Sequence, residues 1–177
     1  MQDFSTVAIQ RITIKNLILL QEISIRTFTE AFSSTNNADN IAIYILEKFG
    51  LEQLTFEINN ANSQFYFAFA NDQVIGYIKL NSGDAQTENI VGNNLEIQRI
   101  YIIESFHGKK VGQLLLDYAL QIALDAGFES VWLGVWEHNY KAIQFYSKNG
   151  FTVFDKHDFM MGNDKQTDLL MNLFLKT

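Results

Sequence analysis

Cysteine and proline are both absent from the 177 residues, and each absence removes a class of explanation. Without cysteine there is no disulfide, no thiolate nucleophile and no cysteine-based metal site. Without proline there is no cis-prolyl bond, so no slow prolyl phase is expected in folding. Histidine is scarce. His107, His138 and His157 stand far apart and match neither H-x3-H nor H-E-x2-H, so no metal is expected. No apolar run approaches the roughly 18 residues of a membrane helix, and residues 17–20 are the densest early cluster. Met1-Gln2-Asp3-Phe4-Ser5 lacks a basic n-region, and the apolar positions after it are interrupted by Gln10, Arg11 and Lys15. Positive charge is also short, with 13 Lys+Arg against 20 Asp+Glu and a net charge of −7. Such a surface repels phosphate backbones, which argues against nucleic acid and mildly favours cationic small molecules. The expectation is a soluble cytoplasmic protein with no membrane and no nucleic-acid partner.

The hydrophobic content of 47%, with 14% aromatic, is enough to fill the core of one domain over residues 1–177. Residues 6–14 alternate as a strand, and Asn16 is positioned to cap a helix with Leu17, Leu20, Ile23, Phe28, Ala31 and Phe32 on one stripe. Helical patches follow at 38–49 and 51–59. A hairpin over 64–80 then turns at Asn71-Asp72. Residues 81–94, rich in Asn, Gly, Ser and Asp, read as an exposed loop. A near-continuous apolar strand at 95–103 leads into the strongest amphipathic helix, which starts at Val111 and stops at Gly127. A buried strand at 130–135, a helix capped by Asn139, and a last hairpin around Gly162-Asn163-Asp164 complete the chain. The pattern predicts a mixed α/β or α+β sheet without repeats or linkers.

Two segments carry chemistry. His107-Gly108-Lys109-Lys110-Val111-Gly112-Gln113 joins a strand to a helix N-terminus, where glycine permits close backbone approach and the first amides lack partners. That combination suits phosphate or pyrophosphate, although it is neither a Walker loop nor G-x-G-x-x-G. An ordinary turn with a solvated basic tip is the plain alternative. The second segment runs from Val135 to Phe151. In it Asn139 can cap a helix or bind a ligand amide, and Tyr146 falls about two turns later near the same face. Alone, Tyr146 reads as a packed core tyrosine.

Together, Arg99-Ile100-Tyr101-Ile102, the 107–112 loop and Asn139-x2-Ala142-x2-Phe145-Tyr146-x-Lys148-x-Gly150-Phe151 resemble the GNAT superfamily of acyl-CoA N-acyltransferases. Order, spacing and the intervening long helix match, most strongly over residues 95–151. The stretch from His157 to Met171, including Gln166-Thr167-Asp168, further resembles the spermidine/spermine-type branch. The family loop usually reads Arg or Gln, two residues, Gly, one residue, then Gly or Ala. Here His107 takes the first position and Lys110 the fourth, so Lys110 must either avoid or tolerate a positive φ.

The resemblance implies a mostly antiparallel sheet with a V-shaped split between strands 95–103 and 130–135, holding acetyl-CoA. Pyrophosphate would rest on His107, Gly108, Lys109, Lys110, Val111, Gly112 and Gln113. Pantetheine would pair with the backbone of Ile100, Tyr101 and Ile102 and end at Asn139, with the thioester carbonyl polarised by an amide near Ile102. Glu96 is the implied general base, acting through water, and Tyr146 the implied acid for the thiolate and a contact to the cofactor. Phe28, Phe32, Tyr44 and Trp136 are candidate acceptor-pocket walls and Glu30 a candidate cation partner; for each, ordinary core or solvated surface is the preferred alternative. The leading expectation is direct acetyl transfer to a primary amine, most simply a polyamine, by a homodimer. A protein N-terminus or lysine as acceptor, and a non-catalytic CoA-binding sensor, are the alternatives.

Overall fold

The computed structural model describes residues 7–175. Seven strands form one sheet in the order β1-β2-β3-β4-β5-β7-β6. β1 (Val7–Arg11), β2 (Ser63–Ala70), β3 (Gln73–Asn81) and β4 (Asn94–Ile102) are antiparallel neighbours. β5 (Ser130–Trp136) runs parallel to β4, and β7 (Asp164–Phe174) and β6 (Thr152–Met161) continue antiparallel. Five helices complete the fold: α1 (Leu17–Phe32), α2 (Ala38–Phe49), α3 (Leu51–Asn59), α4 (Val111–Asp125) and α5 (Tyr140–Lys148). This is the mixed, mostly antiparallel architecture expected from the sequence, with the parallel pair at the split.

The sheet is buried between helices. α1 packs on β3 and β4 and gathers α2 and α3, while α4 packs on β3, β4 and β5. Leu20, Ile23 and Phe28 of α1 and Val111, Leu115, Leu116, Ala119 and Ala123 of α4 are the buried stripes. β3, sandwiched in the middle, is buried along almost its whole length. Asn71 and Asp72 both take positive φ (49° and 64°). A two-residue hairpin turn needs that twist, and short polar side chains tolerate it.

Three local readings differ from the structure. The first strand stops at Arg11. Ile12 N still donates to Phe65 O at 2.8 Å, but the chain then winds into a 3-10 turn, and Thr6 lies outside the described residues. Asn16 does not cap α1 with its side chain; its Oδ1 accepts from Thr13 N at 3.0 Å and closes the preceding turn. Residues 81–94 are not a free loop. Asn81 and Asn94 are buried, and Trp132 Nε1 donates to Gln86 Oε1 at 2.6 Å. The segment is exposed over much of its length, as expected, but part of its polar composition also serves inward hydrogen bonds.

The split has a visible cause. β4 and β5 pair only at Asn94↔Ser130, Leu95↔Val131 and Glu96↔Trp132. Just beyond, the β3–β4 register shifts so that Leu80 faces Ile97 and Lys79 faces Arg99, leaving Gln98 as a bulge residue. A bulge bends its strand and increases twist, so β4 turns away where it leaves β5.

Candidate active site

A cavity of about 480 Å³ opens at this split. Phe28, Phe32, Tyr44, Tyr101, Trp136 and Tyr146 contribute aromatic surface to it. Phe28 and Tyr44 stack at 4.5 Å, and Trp136 meets Phe32 edge-on at 6.4 Å. Thus the four suggested wall residues do line the cavity. Glu30 does not. It accepts from Arg26 at 2.8 Å and from Glu104 N at 2.6 Å, which fastens α1 to the turn after β4.

Ile103 N donates to Ile75 O at 3.0 Å. Backbone polar groups alternate along a strand, so those of Ile100 and Ile102 face the open edge while Tyr101 belongs to the β3 ladder. Tyr101 therefore offers its ring, not its backbone, to the cavity. His107 Nε2 lies 2.8 Å from Ile102 O and occupies one acceptor on that edge.

The loop before α4 has two positive-φ residues, Gly108 (75°) and Lys110 (64°). Lys110 thus tolerates the left-handed conformation where the family more often carries glycine, at a cost of roughly 1–2 kcal/mol. The first bond of α4 runs from Leu114 N to Lys110 O at 3.1 Å. Val111, Gly112 and Gln113 consequently have amides without intrahelical acceptors. Gln113 Nε2 donates to Asp117 and to Asn149 and so links α4 to the end of α5. Lys109 rests over the Phe106 ring at 4.5 Å.

Asn139 lines the cavity, and its Oδ1 accepts from Ala142 N at 3.2 Å as an N-cap. Its amide NH₂ remains for another acceptor. Tyr146 is buried, touches Phe145 and Phe151, and has no hydrogen bond to its hydroxyl among the described residues. Burial pushes its phenol well up, so it carries its proton at neutral pH.

Glu96 is buried at the last β4–β5 pair. Thr87 N (3.0 Å), the Thr87 hydroxyl and Asn81 Nδ2 (3.0 Å) all donate to it. Burial raises its pKa, and these donors oppose the shift. Sequence reading missed two further groups. The first joins α3 to the sheet: Glu57 receives Arg99 at 2.7 and 3.0 Å and Lys79 at 2.9 Å. Burial alone would raise Glu57, but the charges of Arg99 and Lys79 outweigh it and lower its pKa. Burial and the neighbouring Arg99 bring Lys79 down to about 8. The second comprises Asp168 on β7, His157 on β6 and Glu88. His157 Nδ1 lies 2.5 Å from Glu88 Oε1, and Nε2 lies 3.8 Å from Asp168 Oδ2. An acid at the edge of the apolar stretch that begins at Leu169 was the available signal. Among the described residues no group of three or more His, Asp or Glu forms a metal site, and no helix is long and apolar enough to cross a membrane.

Comparison with known proteins agrees with this geometry. Residues 20–151 match the acetyltransferase (GNAT) family. The chain is 37% identical over 165 residues to an uncharacterised N-acetyltransferase of Lactobacillus delbrueckii subsp. lactis, covering 93% of this chain and 95% of the relative. It is 30% identical over 162 residues to the spermidine N(1)-acetyltransferase of Thermoplasma acidophilum, covering 88% and 96%. The crystal structure of the PaiA N-acetyltransferase of T. acidophilum, in complex with coenzyme A, superposes with a TM-score of 0.79 at 28% identity over 96% of this chain and 99% of that one. Fold, split sheet and sequence agree: the chain belongs to the GNAT family of acetyltransferases.

Proposed function

We propose that the protein transfers the acetyl group of acetyl-CoA directly to a primary amine of a polyamine, with spermidine and spermine as the leading acceptors. The observation that carries this reading is the aromatic cavity at the β4–β5 split, into which Tyr146, Glu96, Asn139 and Asp168 all bring functional groups. The relative that acetylates spermidine and the coenzyme A complex of the similar fold support it.

Acetyl-CoA is the acyl donor in this reading. Its pyrophosphate meets the amides of Gly108 and of Lys110 to Gln113, where the helix dipole and the lysines at 109 and 110 favour anions; the His107 and Lys109 amides, expected to join them, are bonded inward to Glu104 O and Phe106 O. Its pantetheine runs along the free β4 edge at Ile100 and Ile102, beside Tyr101, and the Asn139 amide holds its far end. An amide of the same edge near Ile102 polarises the thioester carbonyl. An alkylamine of pKa near 10 is only about one part in a thousand neutral at pH 7, so supplying the free amine costs roughly 4 kcal/mol, and a positioned carboxylate assists by taking the proton. Glu96 acts through water in this step. Tyr146, kept neutral by burial, protonates the departing thiolate. The enzyme works in the cytoplasm as a homodimer in this reading. The outer strand β6, with exposed Val153, Phe154 and Met160, supports self-association.

The test is thiol release from acetyl-CoA with spermidine, spermine, putrescine, a lysine peptide and a peptide with a free N-terminus. Saturable turnover with the polyamines is expected. Turnover with a peptide alone would reassign the acceptor, and silence throughout with a CoA-dependent rise in Tm would overturn the polyamine assignment and mean another acceptor or a sensor.

A further inference from the structure

Asp168 stands at the outer end of the sheet's split, opposite Trp136 on β5 and His157 on β6. It lines the aromatic cavity, yet no described group gives its carboxylate a hydrogen bond. Oδ1 is buried without a partner, and Oδ2 has only the His157 ring at 3.8 Å, beyond hydrogen-bond range. That ring is held by Glu88 through its other nitrogen.

The nearby cations do not serve Asp168. Arg99 and Lys79 are both bound to Glu57. The other titratable groups facing the carboxylate are the phenols of Tyr44 on α2 and Tyr101 on β4, both made harder to ionise by burial. A buried carboxylate without a donor is costly, and a cation from outside relieves that cost. The backbone also keeps room for one. At Gly134 on β5 an added Cβ would lie 3.3 Å from Asp168 Oδ2, so glycine leaves the front of the carboxylate free of side chain.

We infer that Asp168 receives the reacting ammonium group of the acceptor, with His157 as its positioning residue and Gly134 as the opening in front of it. The inference rests on the polyamine reading and sharpens it. The ammonium gives one proton to the Asp168 carboxylate, which takes over from Glu96 the step that frees the amine, and the freed amine forms the C–N bond at the thioester carbon. The C–S bond then breaks, and Tyr146 protonates the thiolate. The second nitrogen proton passes through water to Glu96 and back to Tyr146, while Asp168 returns its proton to solvent. Acetylamide, thiol and one released proton balance the equation. Burial brings the Asp168 carboxyl up to about 6 against the pull of His157, so at neutral pH it is mostly ionised and ready to accept.

The experiment compares wild type, Asp168→Asn, Glu96→Gln, His157→Gln and Gly134→Ala. It measures kcat and KM for spermidine from pH 5 to 9, and the Tm rise with CoA. For Asp168→Asn, kcat/KM is expected to fall roughly 10- to 100-fold, the size of a lost charged hydrogen bond. The limb near pH 6 should disappear with it, and the CoA-induced Tm rise should persist. Glu96→Gln should lower kcat and keep that limb. His157→Gln should move the limb to higher pH, because the neighbour that holds the Asp168 carboxyl down is lost. Gly134→Ala, which puts a methyl against Oδ2 without changing charge, should raise KM for spermidine and spare CoA binding; it decides the matter if Asp168→Asn fails to fold. An active wild type whose Asp168→Asn variant keeps both KM and the limb overturns this inference alone. A wild type silent with every polyamine overturns the polyamine reading and Asp168's role with it.

Discussion

Replacing Glu57 with glutamine leaves Arg99 and Lys79 side by side in a buried site, and the size of the resulting loss can be worked from their surroundings. Arg99 is 6% exposed and Lys79 3%, and each also lies over a ring, Phe49 and Phe65 respectively, at 5.2 Å. Lys79 is already held down to about 8 with Glu57 present, so losing the carboxylate drives it to the neutral form and limits its cost. Arg99 has no such exit, because guanidinium does not deprotonate in proteins. Stranding one buried charge costs about 3–5 kcal/mol. At ~2–4 °C per kcal/mol for a chain of this size, Tm should fall by roughly 6–20 °C. Urea and thermal melts of Glu57→Gln measure the loss. The double variant Glu57→Gln/Arg99→Met should recover much of it, since no buried charge then lacks a partner. A single variant within about 1 kcal/mol of wild type would refute the reasoning.

Further outcomes follow from the same geometry. The Asn139 cap and its free amide separate cleanly: Asn139→Asp keeps the acceptor for Ala142 N, so stability holds while KM for acetyl-CoA rises. Asn139→Ala should also lose about 1 kcal/mol of stability in a urea melt. Lys79 is lowered from its ordinary range near 10.4 to about 8, so between these pH values the unfolded chain binds the extra proton. Stability from this group therefore rises with pH across that window, and the wild-type minus Lys79→Met difference in urea midpoints should show the slope. A difference that stays flat from pH 8 to 10 would contradict the burial of Lys79.

Much of the fold was legible because its signals are local. The period of α4, the Asn71-Asp72 turn and the Asn139 cap each depend on residues within a few positions, and all appear where the pattern put them. What stayed hidden depends on distant partners. The Gln98 bulge follows from how β3 registers against β4, which no single strand encodes. Asp168 meets His157 and Gly134 only after β5, β6 and β7 assemble, so in sequence it was one more acid at the end of the polar stretch 163–168. Asn81 and Thr87 looked like loop residues because side chains that bind solvent and side chains that satisfy a buried carboxylate have the same composition. Tyr146 was identified through a motif, and its buried, unbonded hydroxyl at the cavity is a property of the folded chain.

The most direct measurement is turnover and CoA binding of Tyr146→Phe beside wild type, with spermidine as acceptor. Removing one hydroxyl should lower kcat roughly 10²–10⁴-fold, the range of a lost general acid. The rise in Tm with CoA should stay the same, because the phenol is not part of the anion site. Full turnover in Tyr146→Phe would contradict acetyl transfer at the β4–β5 cavity with Tyr146 as the acid.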